Sequence, residues 1–417
     1  MFRGSTISRL PAPANEFSKR MNDTFRIRTI LPCVLFLLLS LGCQNAATGQ
    51  TGETRKGEGA GDPHWHSPEA AAEPIMYWED YEPISTLVVP EHPIRSAKFP
   101  FIDIHAHQFQ AATLSRTVLD SLIREMDGLN MAIMVNLSGG IGDRLAGSVR
   151  NMNGTYPGRF EQFANISFDG IDDPDWGRRT AEGLERDVRN GAVGLKIYKN
   201  LGMDVRDASG KRVPADDPRI DPVWAKAGEL GIPVLIHTAD PAPFWEPQDR
   251  YNERWFELKE RPMRIRRPGD YPPFEQIIGE QHNMFRKHPE TKFISAHLSW
   301  LGNDLDALGA LFDELPNVYS ETGAVLAELG RQPRKAKEFL TKYHDRVLFG
   351  KDSWEPDEYR VYFRTFETED EYFPYYRKRH AFWRLYGIGL DDEVLKDIYY
   401  RNALRIVPGL DASQFPD

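Results

Sequence analysis

From Phe99 onward, the sequence alternates between short apolar runs and longer amphipathic stretches, and this unit recurs eight times. Short β-branched or apolar runs are typical of buried strands, and the stretches between them have helical periodicity. Strands that alternate with helical crossovers form a parallel α/β fold, and eight units close a (β/α)8 TIM barrel. A doubly wound open sheet is the alternative, but no glycine-rich phosphate loop follows the first run. The sequence therefore predicts a TIM barrel.

The same pattern places the individual elements. The predicted strands are Phe101–His105, Met131–Leu137, Phe160–Ser167, Val193–Tyr198, Pro233–His237, Lys292–His297, Val318–Glu321 and Arg346–Gly350. The predicted helices include Ala112–Leu129, Trp176–Asn190, Asp221–Leu230, Phe274–Lys287, Asp304–Leu315 and Arg334–Tyr343.

Two connections are longer than a minimal barrel needs, one after the fifth strand (238–273) and one after the eighth (353–376). Long loops in compact domains are usually functional or disordered. On a barrel, both would rise over the carboxyl ends of the strands, where active sites lie. We therefore predict two lid insertions, with partner-binding loops as the alternative.

The N-terminal region departs from this pattern and indicates export. An apolar run over residues 30–42 follows two arginines and ends in small residues, which is typical of a secretory signal and short for a membrane span. Gly42-Cys43 resembles a bacterial lipoprotein signal, in which the cysteine is lipidated and becomes the mature N-terminus. A plain cleaved signal or an uncleaved anchor is the alternative. We predict a signal peptide over 1–43 and a periplasmic or membrane-anchored lipoprotein.

Residues 44–98 are predicted to form a flexible tether and a lead-in, and residues 99–410 the barrel domain. Both cysteines, Cys33 and Cys43, fall in the apolar run, so the folded body has neither a disulfide framework nor a thiolate metal site. The formal net charge is −10, and no basic stripe carries interleaved aromatics. We therefore expect no nucleic-acid partner.

Four predicted strands end in side chains that bind metals. Residues two apart on a strand share a face, so the pair His105 and His107 points to one side. The other strand-end groups are His237, His297 and Asp352. A single buried histidine is usually a satisfied core residue, but charged groups at four strand ends would be costly unless paired or metal-bound. The sequence therefore predicts a site for Zn, Fe or Mn at the mouth of the barrel.

This order of His-x-His, His, His and Asp on strands one, five, six and eight resembles the amidohydrolase superfamily. The flanking segments resemble its amidohydrolase-2 branch of metal-dependent TIM-barrel hydrolases, which also contains decarboxylases and lactonases. These segments are Asp217–Trp224, Gly231–Thr238, His288–Pro289, Ala296–Leu298, Pro316–Tyr319 and Phe349–Asp352. The resemblance extends from about Phe99 to Val407.

The resemblance implies roles for five residues. His105, His107, His237 and Asp352 match the metal ligands, and His297 matches the histidine that activates water or polarises the substrate. The matching aspartate often doubles as a proton shuttle. Chemistry agrees with these roles, because a metal lowers the pKa of its water ligand to about 7, a carboxylate can take the proton, and a histidine can stabilise the developing oxyanion.

Lys196, on the fourth predicted strand, leaves the number of metals open. Some superfamily members carboxylate a lysine at this place to bridge two ions, and His237 and His297 would then complete a second site. The alternative is a free Lys196 that binds a substrate carboxylate. Because Gly-x-Lys is common here in this branch without known bridging, we favour one ion, Zn, with Fe or Mn as alternatives.

Glu321 and Arg331 are further candidates for substrate binding. Glu321 closes the seventh strand and is expected to contact substrate or to order His297, with helix capping as the alternative. Arg331 lies beyond the same strand and is suited to grip an anion bidentately. A surface salt bridge is the alternative for Arg331.

The favoured function is hydrolysis of an ester, lactone or amide bond of a small molecule by metal-activated water. The alternative is nonoxidative decarboxylation of an unsaturated or aromatic acid, with Lys196 or Arg331 binding the carboxylate. A third function is non-catalytic binding of a metal or ligand by a surface lipoprotein, against which the complete ligand set argues. The expected partner is a small-molecule substrate, a homodimer is compatible with the sequence, and the membrane is reached only through a lipid on Cys43.

Overall fold

A computed structural model describes residues 76–77, 80–377, 379–380 and 382–416. The predicted signal peptide, Cys43 and the tether up to residue 75 lie outside these residues. Residues 81–98 contain no helix or strand and lead into the first strand. Within the described ranges, no helix combines the length and the apolar character needed to cross a bilayer.

Eight parallel strands pair in chain order to form one sheet. They are β1 (Phe101–Ala106), β2 (Met131–Asn136), β3 (Phe160–Ala164), β4 (Ala192–Ile197), β5 (Val234–Ile236), β6 (Phe293–Ser295), β7 (Val318–Glu321) and β8 (Val347–Leu348). The backbone N–H of Ile104 in β1 donates to the carbonyl oxygen of Phe349, just after β8, at 3.0 Å. The sheet therefore curls into a nearly closed barrel, which confirms the predicted fold.

Twelve α-helices surround or follow the strands in the described part of the chain. They are α1 (Arg116–Leu129), α2 (Asp143–Ser148), α3 (Trp176–Arg189), α4 (Asp221–Glu229), α5 (Trp255–Glu260), α6 (Phe274–Lys287), α7 (Leu305–Glu314), α8 (Leu326–Arg331), α9 (Pro333–Lys342), α10 (Pro356–Glu367), α11 (Asp392–Lys396) and α12 (Asn402–Ile406). A two-stranded antiparallel hairpin, β9 (Phe373–Pro374) and β10 (Arg384–Leu385), follows α10.

Helix α1 shows how the sequence sets these boundaries. The hydroxyl of Ser115 accepts a hydrogen bond from the N–H of Val118, which caps the helix start. Asn130 ends the helix at a φ of +65°, a left-handed conformation that asparagine tolerates better than most residues. The side chains of Leu119, Leu122, Met126 and Leu129 are buried at helical spacing. The amphipathic stretch therefore packs its apolar face on the barrel.

The two long connections carry structure of their own. The connection after β5 contains α5 and short 3₁₀ turns at Ala242–Phe244 and Pro262–Arg264. The connection after β8 begins at α10 and continues through the β9–β10 hairpin. Half of residues 353–376 is thus helical, and residues such as Tyr359, Tyr362 and Phe366 bury one face of α10.

Candidate active site

Strand β1 carries two histidines to the carboxyl end of the barrel. His105 is fully buried, and His107 follows one residue after the strand ends. Their ring centroids lie 5.2 Å apart in an edge-to-face arrangement. The alternation expected of a strand therefore brings both imidazoles to the same side.

Asp352 reaches these two rings from the segment after β8. Its N–H donates to the carbonyl oxygen of His105 at 2.7 Å, which fixes the segment against β1. Its Oδ1 lies 3.4 Å from Nε2 of His105 and 3.6 Å from Nε2 of His107. Asp352 adopts a φ of +83°, a conformation that costs a non-glycine residue about 1 kcal/mol or more. The surrounding contacts therefore hold the carboxylate in place at the expense of local backbone strain.

These three side chains form a group suited to a divalent cation. One ligand atom from each lies within 4.8 Å of the other two. Two imidazole nitrogens and a carboxylate oxygen suit Zn, Fe or Mn. The structure thus brings together three of the four predicted metal ligands: His105, His107 and Asp352.

The protonation states also suit a cation. Burial, followed by the charge of Lys196, lowers the pKa of His105 well below its usual value and that of His107 to about 4. Burial opposes ionisation of Asp352, but the imidazoles of His105, His297 and His107 together with Lys196 lower its pKa to about 2. At neutral pH the group therefore presents two uncharged imidazoles and one carboxylate.

The remaining ring nitrogens have partners that fix the tautomers. Nδ1 of His105 lies 3.0 Å from Oε1 of Glu321, and Nδ1 of His107 lies 2.8 Å from Oγ of Ser138. Because a carboxylate only accepts, Nδ1 of His105 carries the proton and its Nε2 faces Asp352 with a lone pair. Such outer partners orient metal-binding histidines. The donor set therefore fits a cation in orientation as well as in chemistry.

Glu321 lies behind the histidines at the end of β7. It is fully buried, and its Oε1 also accepts the backbone N–H of His297 at 2.7 Å. Gly350 packs against both Glu321 and His105, because a Cβ at position 350 would clash with Oε2 of Glu321 and would lie 2.9 Å from the Cβ of His105. Glu321 does not line the cavity described below. Its contacts are those of a residue that orients His105 and His297.

His237 and His297 form a second pair, at the ends of β5 and β6. Nδ1 of His237 lies 3.2 Å from Nε2 of His297, and the ring centroids are 4.4 Å apart. The ring of His297 also stacks on His105 at 5.0 Å. His237 does not join the compact group of His105, His107 and Asp352. The pair therefore borders that group and shares its cavity.

The segment after β6 forms a left-handed turn. Residues from His297 to Trp300 all have φ between +51° and +60°. Left-handed turns of non-glycine residues are strained, and strain of this kind tends to cluster at functional sites. The turn folds the indole of Trp300 back against His297, with ring centroids 4.6 Å apart. Trp300 is thereby placed on the cavity wall.

Lys196 of β4 belongs to the same cluster. Its side chain is almost completely buried, and its Nζ lies 3.4 Å from Nε2 of His105. Burial lowers its pKa to about 8, while Asp352 and Glu321 oppose that shift. Lys196 therefore lies beside His105, a position that is compatible with both of its predicted roles.

A cavity of about 120 Å³ lies against the site. It is lined by Lys199, His237, Asp240, Pro241, Phe244, Arg254, Glu257, Arg264, His297, Trp300, Ala324, Asp352, Arg377 and His380. Both long connections contribute to this wall, Asp240 to Arg264 from the first and Arg377 and His380 from the second. The insertion at 238–273 thus lines the cavity, whereas on the second side the lining residues Arg377 and His380 lie just beyond the predicted bounds of 353–376.

Arg331 lies away from the cavity. Its guanidinium pairs with Glu253 at 3.0 Å and stacks 3.6 Å from the ring centroid of Trp383. It is not among the residues that line the cavity. The structure therefore gives Arg331 the surface salt bridge that was the alternative, and does not bring it to the other candidate residues.

The sequence reasoning missed several residues of the site. Ser138 holds His107, and the hydroxyl of Tyr198 lies 3.0 Å from Oγ of Ser138. Tyr198 lies two residues after Lys196, so strand alternation alone could have placed it on the same face. Arg377 and His380 carry no periodic signal in the sequence, and only the folded segment after α10 brings them to the cavity.

The family model described as Amidohydrolase (Amidohydro_2) matches residues 102–409. No curated protein matches the chain.

Several solved structures resemble the fold. A dihydroxybenzoic acid decarboxylase from Polaromonas sp. JS666, with bound manganese and 2-nitroresorcinol, is 15% identical, with a TM-score of 0.49 over 77% of this chain and 99% of that one. A 2,6-dihydroxybenzoate decarboxylase from Rhizobium is 16% identical, with a TM-score of 0.47 over 75% and 98%. A 4-oxalomesaconate hydratase from Rhodopseudomonas palustris is 16% identical, with a TM-score of 0.46 over 75% and 97%. Likenesses this distant have no bearing on the reaction of this chain.

Proposed function

The chain belongs to the amidohydrolase family, and we propose that it is a metal-dependent hydrolase that cleaves an ester, lactone or amide bond of a small molecule. One observation carries the proposal: the ionised carboxylate of Asp352 lies beside the Nε2 atoms of His105 and His107 and borders the cavity. A hydrolase needs such a base next to a cation site, because water must lose a proton as it attacks a carbonyl carbon.

His105, His107 and Asp352 would hold the cation, which when bound polarises a substrate oxygen and makes water easier to deprotonate. Asp352 accepts the proton that water loses and returns it to the departing oxygen or nitrogen. With a pKa of about 2, Asp352 is ready to accept that proton at neutral pH. The ammonium of Lys196 lies 3.4 Å from Nε2 of His105, so its charge stabilises the negative charge that develops on the substrate oxygen.

A nonoxidative decarboxylase is the second candidate. The buried ammonium of Lys196 beside His105 favours it, since a cation there could bind the carboxylate that is lost. That reaction needs an acid to deliver a proton to carbon. The ionised carboxylate of Asp352, beside the Nε2 atoms of His105 and His107, is placed to take a proton from water, and this ranks hydrolysis first.

We propose one ion per chain, Zn, with Fe or Mn as alternatives. A second ion would require Lys196 to be carboxylated, which consumes its neutral amine. Because the pKa of Lys196 is lowered to about 8, its neutral amine is more accessible than that of an exposed lysine. His237 and His297 would then supply the remaining nitrogen ligands.

The test uses purified protein and two substrate panels. Lactone, ester and amide reporters measure hydrolysis, and aromatic acids measure release of CO2. We expect turnover of a reporter that chelation abolishes and added Zn restores, and loss of that turnover in His105→Ala and Asp352→Asn. The control is His344→Ala, since His344 pairs with Asp397 and does not line the cavity. Chelator-sensitive CO2 release without hydrolysis would establish the lyase instead, and His105→Ala that keeps both metal and turnover would reject both enzymes.

We also propose that the enzyme is exported and anchored by a lipid on Cys43. The support is the apolar run over 30–42 that ends at this cysteine. Metabolic labelling with a palmitate analogue should mark the wild-type chain and leave Cys43→Ser unlabelled. An unlabelled wild-type chain in the periplasmic fraction would indicate a plain cleaved signal.

A further inference from the structure

The cavity next to Asp352 has an imbalance of charge that the reaction does not explain. Four basic side chains line it, and three of them are neutralised by carboxylates. Lys199 pairs with Asp240 at 2.7 Å. Arg254 and Arg264 both pair with Glu257, at 3.0 and 2.5 Å. These three are therefore occupied in holding the walls together.

The fourth basic residue, Arg377, has no such partner. Among the residues that the structure describes, none forms an ion pair or a hydrogen bond with its guanidinium, and its Nε is buried without a partner. Glu358 is near enough to stabilise the charge, but its carboxylate is bonded to Nζ of Lys351. Arg377 is thus a partly buried cation on the cavity wall that is free to bind an anion.

A second donor on the same wall is also unused. The indole N–H of Trp300 is buried and has no acceptor among the described residues. A buried donor without a partner typically costs about 1–3 kcal/mol, and a buried charge costs more. The left-handed turn that places Trp300 is itself strained. Both donors would be satisfied by one ligand that carries acceptor oxygens.

We propose that the substrate carries a carboxylate, which Arg377 binds together with the indole N–H of Trp300. A guanidinium presents paired N–H donors that match the two oxygens of a carboxylate. The proposal rests on the proposed function, because it names the substrate class of the same cavity. The proposed hydrolysis breaks an ester, lactone or amide bond, so the carboxylate that Arg377 recognises on the cavity wall remains in the product.

The test measures binding and so does not depend on turnover. Benzoate and succinate are titrated calorimetrically into metal-loaded wild-type protein, next to their uncharged counterparts benzamide and succinamide. We expect at least one acid to bind about tenfold more tightly than its amide, and Arg377→Met to remove that preference. Arg377→Lys should restore part of it, and Trp300→Phe should weaken acid binding while leaving amide binding unchanged.

Arg379→Met is the matched control. Arg379 lies in the same segment and also has a buried Nε without a partner, but it lines a neighbouring pocket and not the cavity. Its substitution should leave the preference for acids intact. Equal loss in both arginine variants, equal binding of acid and amide, or no binding of either acid would overturn the proposal. An acid preference in a protein without chelator-sensitive turnover would reject the proposed function alone.

Discussion

Nδ1 of His237 and Nε2 of His297 face each other across 3.2 Å. Nδ1 of His297 lies 2.7 Å from the carbonyl oxygen of Gly323, which only accepts, so the ring proton is on that side. Nε2 of His237 likewise faces the carbonyl oxygen of Ala239 at 3.1 Å. Burial lowers the pKa of His237 well below its usual value, so its ring is neutral. Since the other nitrogen of each ring faces a carbonyl oxygen, Nδ1 of His237 and Nε2 of His297 are the nitrogens left to face a cation or a ligand.

This pair predicts how the protein binds metal. We expect one divalent ion per chain, and we expect His237→Ala to weaken metal affinity by more than about tenfold, because the variant removes one of the two facing ring nitrogens. Metal analysis of dialysed protein and competition with a chromophoric chelator measure the two quantities. His344→Ala serves as the control. Two ions in the wild type that fall to one in Lys196→Ala would contradict the single-ion proposal.

Glu321 should control metal affinity without touching the substrate. Glu321→Gln replaces a carboxylate that accepts from both His105 and the N–H of His297 with an amide, whose own N–H cannot accept. We expect metal affinity to fall by about 10- to 100-fold, while KM for a reporter at saturating metal changes little. Glu314→Gln, at an exposed ion pair, should change neither. A large rise in KM with unchanged metal affinity would instead assign Glu321 to substrate binding.

Arg254 is expected to determine the stability of the cavity wall. Its buried guanidinium bonds Glu257 at 3.0 Å and Glu328 at 2.5 Å, and so connects α5 to α8. Arg254→Met would leave the carboxylate of Glu328 without its cation, which typically costs about 3–5 kcal/mol, whereas Glu257 would keep its pair with Arg264. Chemical denaturation measures the change. Arg286→Met removes an exposed pair and should cost less than about 1 kcal/mol, and similar losses in the two variants would contradict the assignment.

The sequence predicted the barrel and the ligand-bearing strands because both depend on local pattern. Strand Val318–Glu321 and helix Phe274–Lys287 have the predicted bounds. Other strands are shorter than predicted, since Arg346–Gly350 pairs only over Val347–Leu348. Directly after β8, the backbone N–H of Phe349 donates to the carbonyl oxygen of Ile398, a long-range contact that local sequence pattern does not predict.

The cavity wall could not be read from the sequence for a similar reason. Lys199 lines the cavity because Asp240, 41 positions along the chain, pairs with it. Arg331 and Arg377 look alike in the sequence. Only long-range packing separates them, since Trp383 and Glu253 engage Arg331 while Arg377 keeps an unpartnered Nε. The residues at strand ends follow from local sequence pattern, whereas the residues that line the cavity depend on long-range packing.

Glu161 should make stability depend on pH. Burial raises its pKa from the usual 4.5 to about 7, although the amide of Asn153 opposes the shift. The folded state therefore keeps this proton to a higher pH than the unfolded state. The contribution of Glu161 to the free energy of unfolding is fully present below pH 4.5 and is lost as pH rises to about 7. Partial exposure limits the loss to about 1–2 kcal/mol. Denaturation at several pH values should show a flatter profile for Glu161→Gln than for wild type, and no flattening for Glu290→Gln, which is exposed.

Ser299 offers a test of the strained turn. Its φ of +57° is strained for serine and unstrained for glycine, and its buried hydroxyl has no partner among the described residues. Ser299→Gly should therefore raise the free energy of unfolding by about 0.5–1 kcal/mol. Ser121→Gly, inside α1, should instead lower it by a similar amount, because glycine is unfavourable in helices. If the turn holds Trp300 in place, Ser299→Gly also weakens binding of the carboxylate probe. A lower free energy of unfolding in Ser299→Gly would show that the turn is not strained.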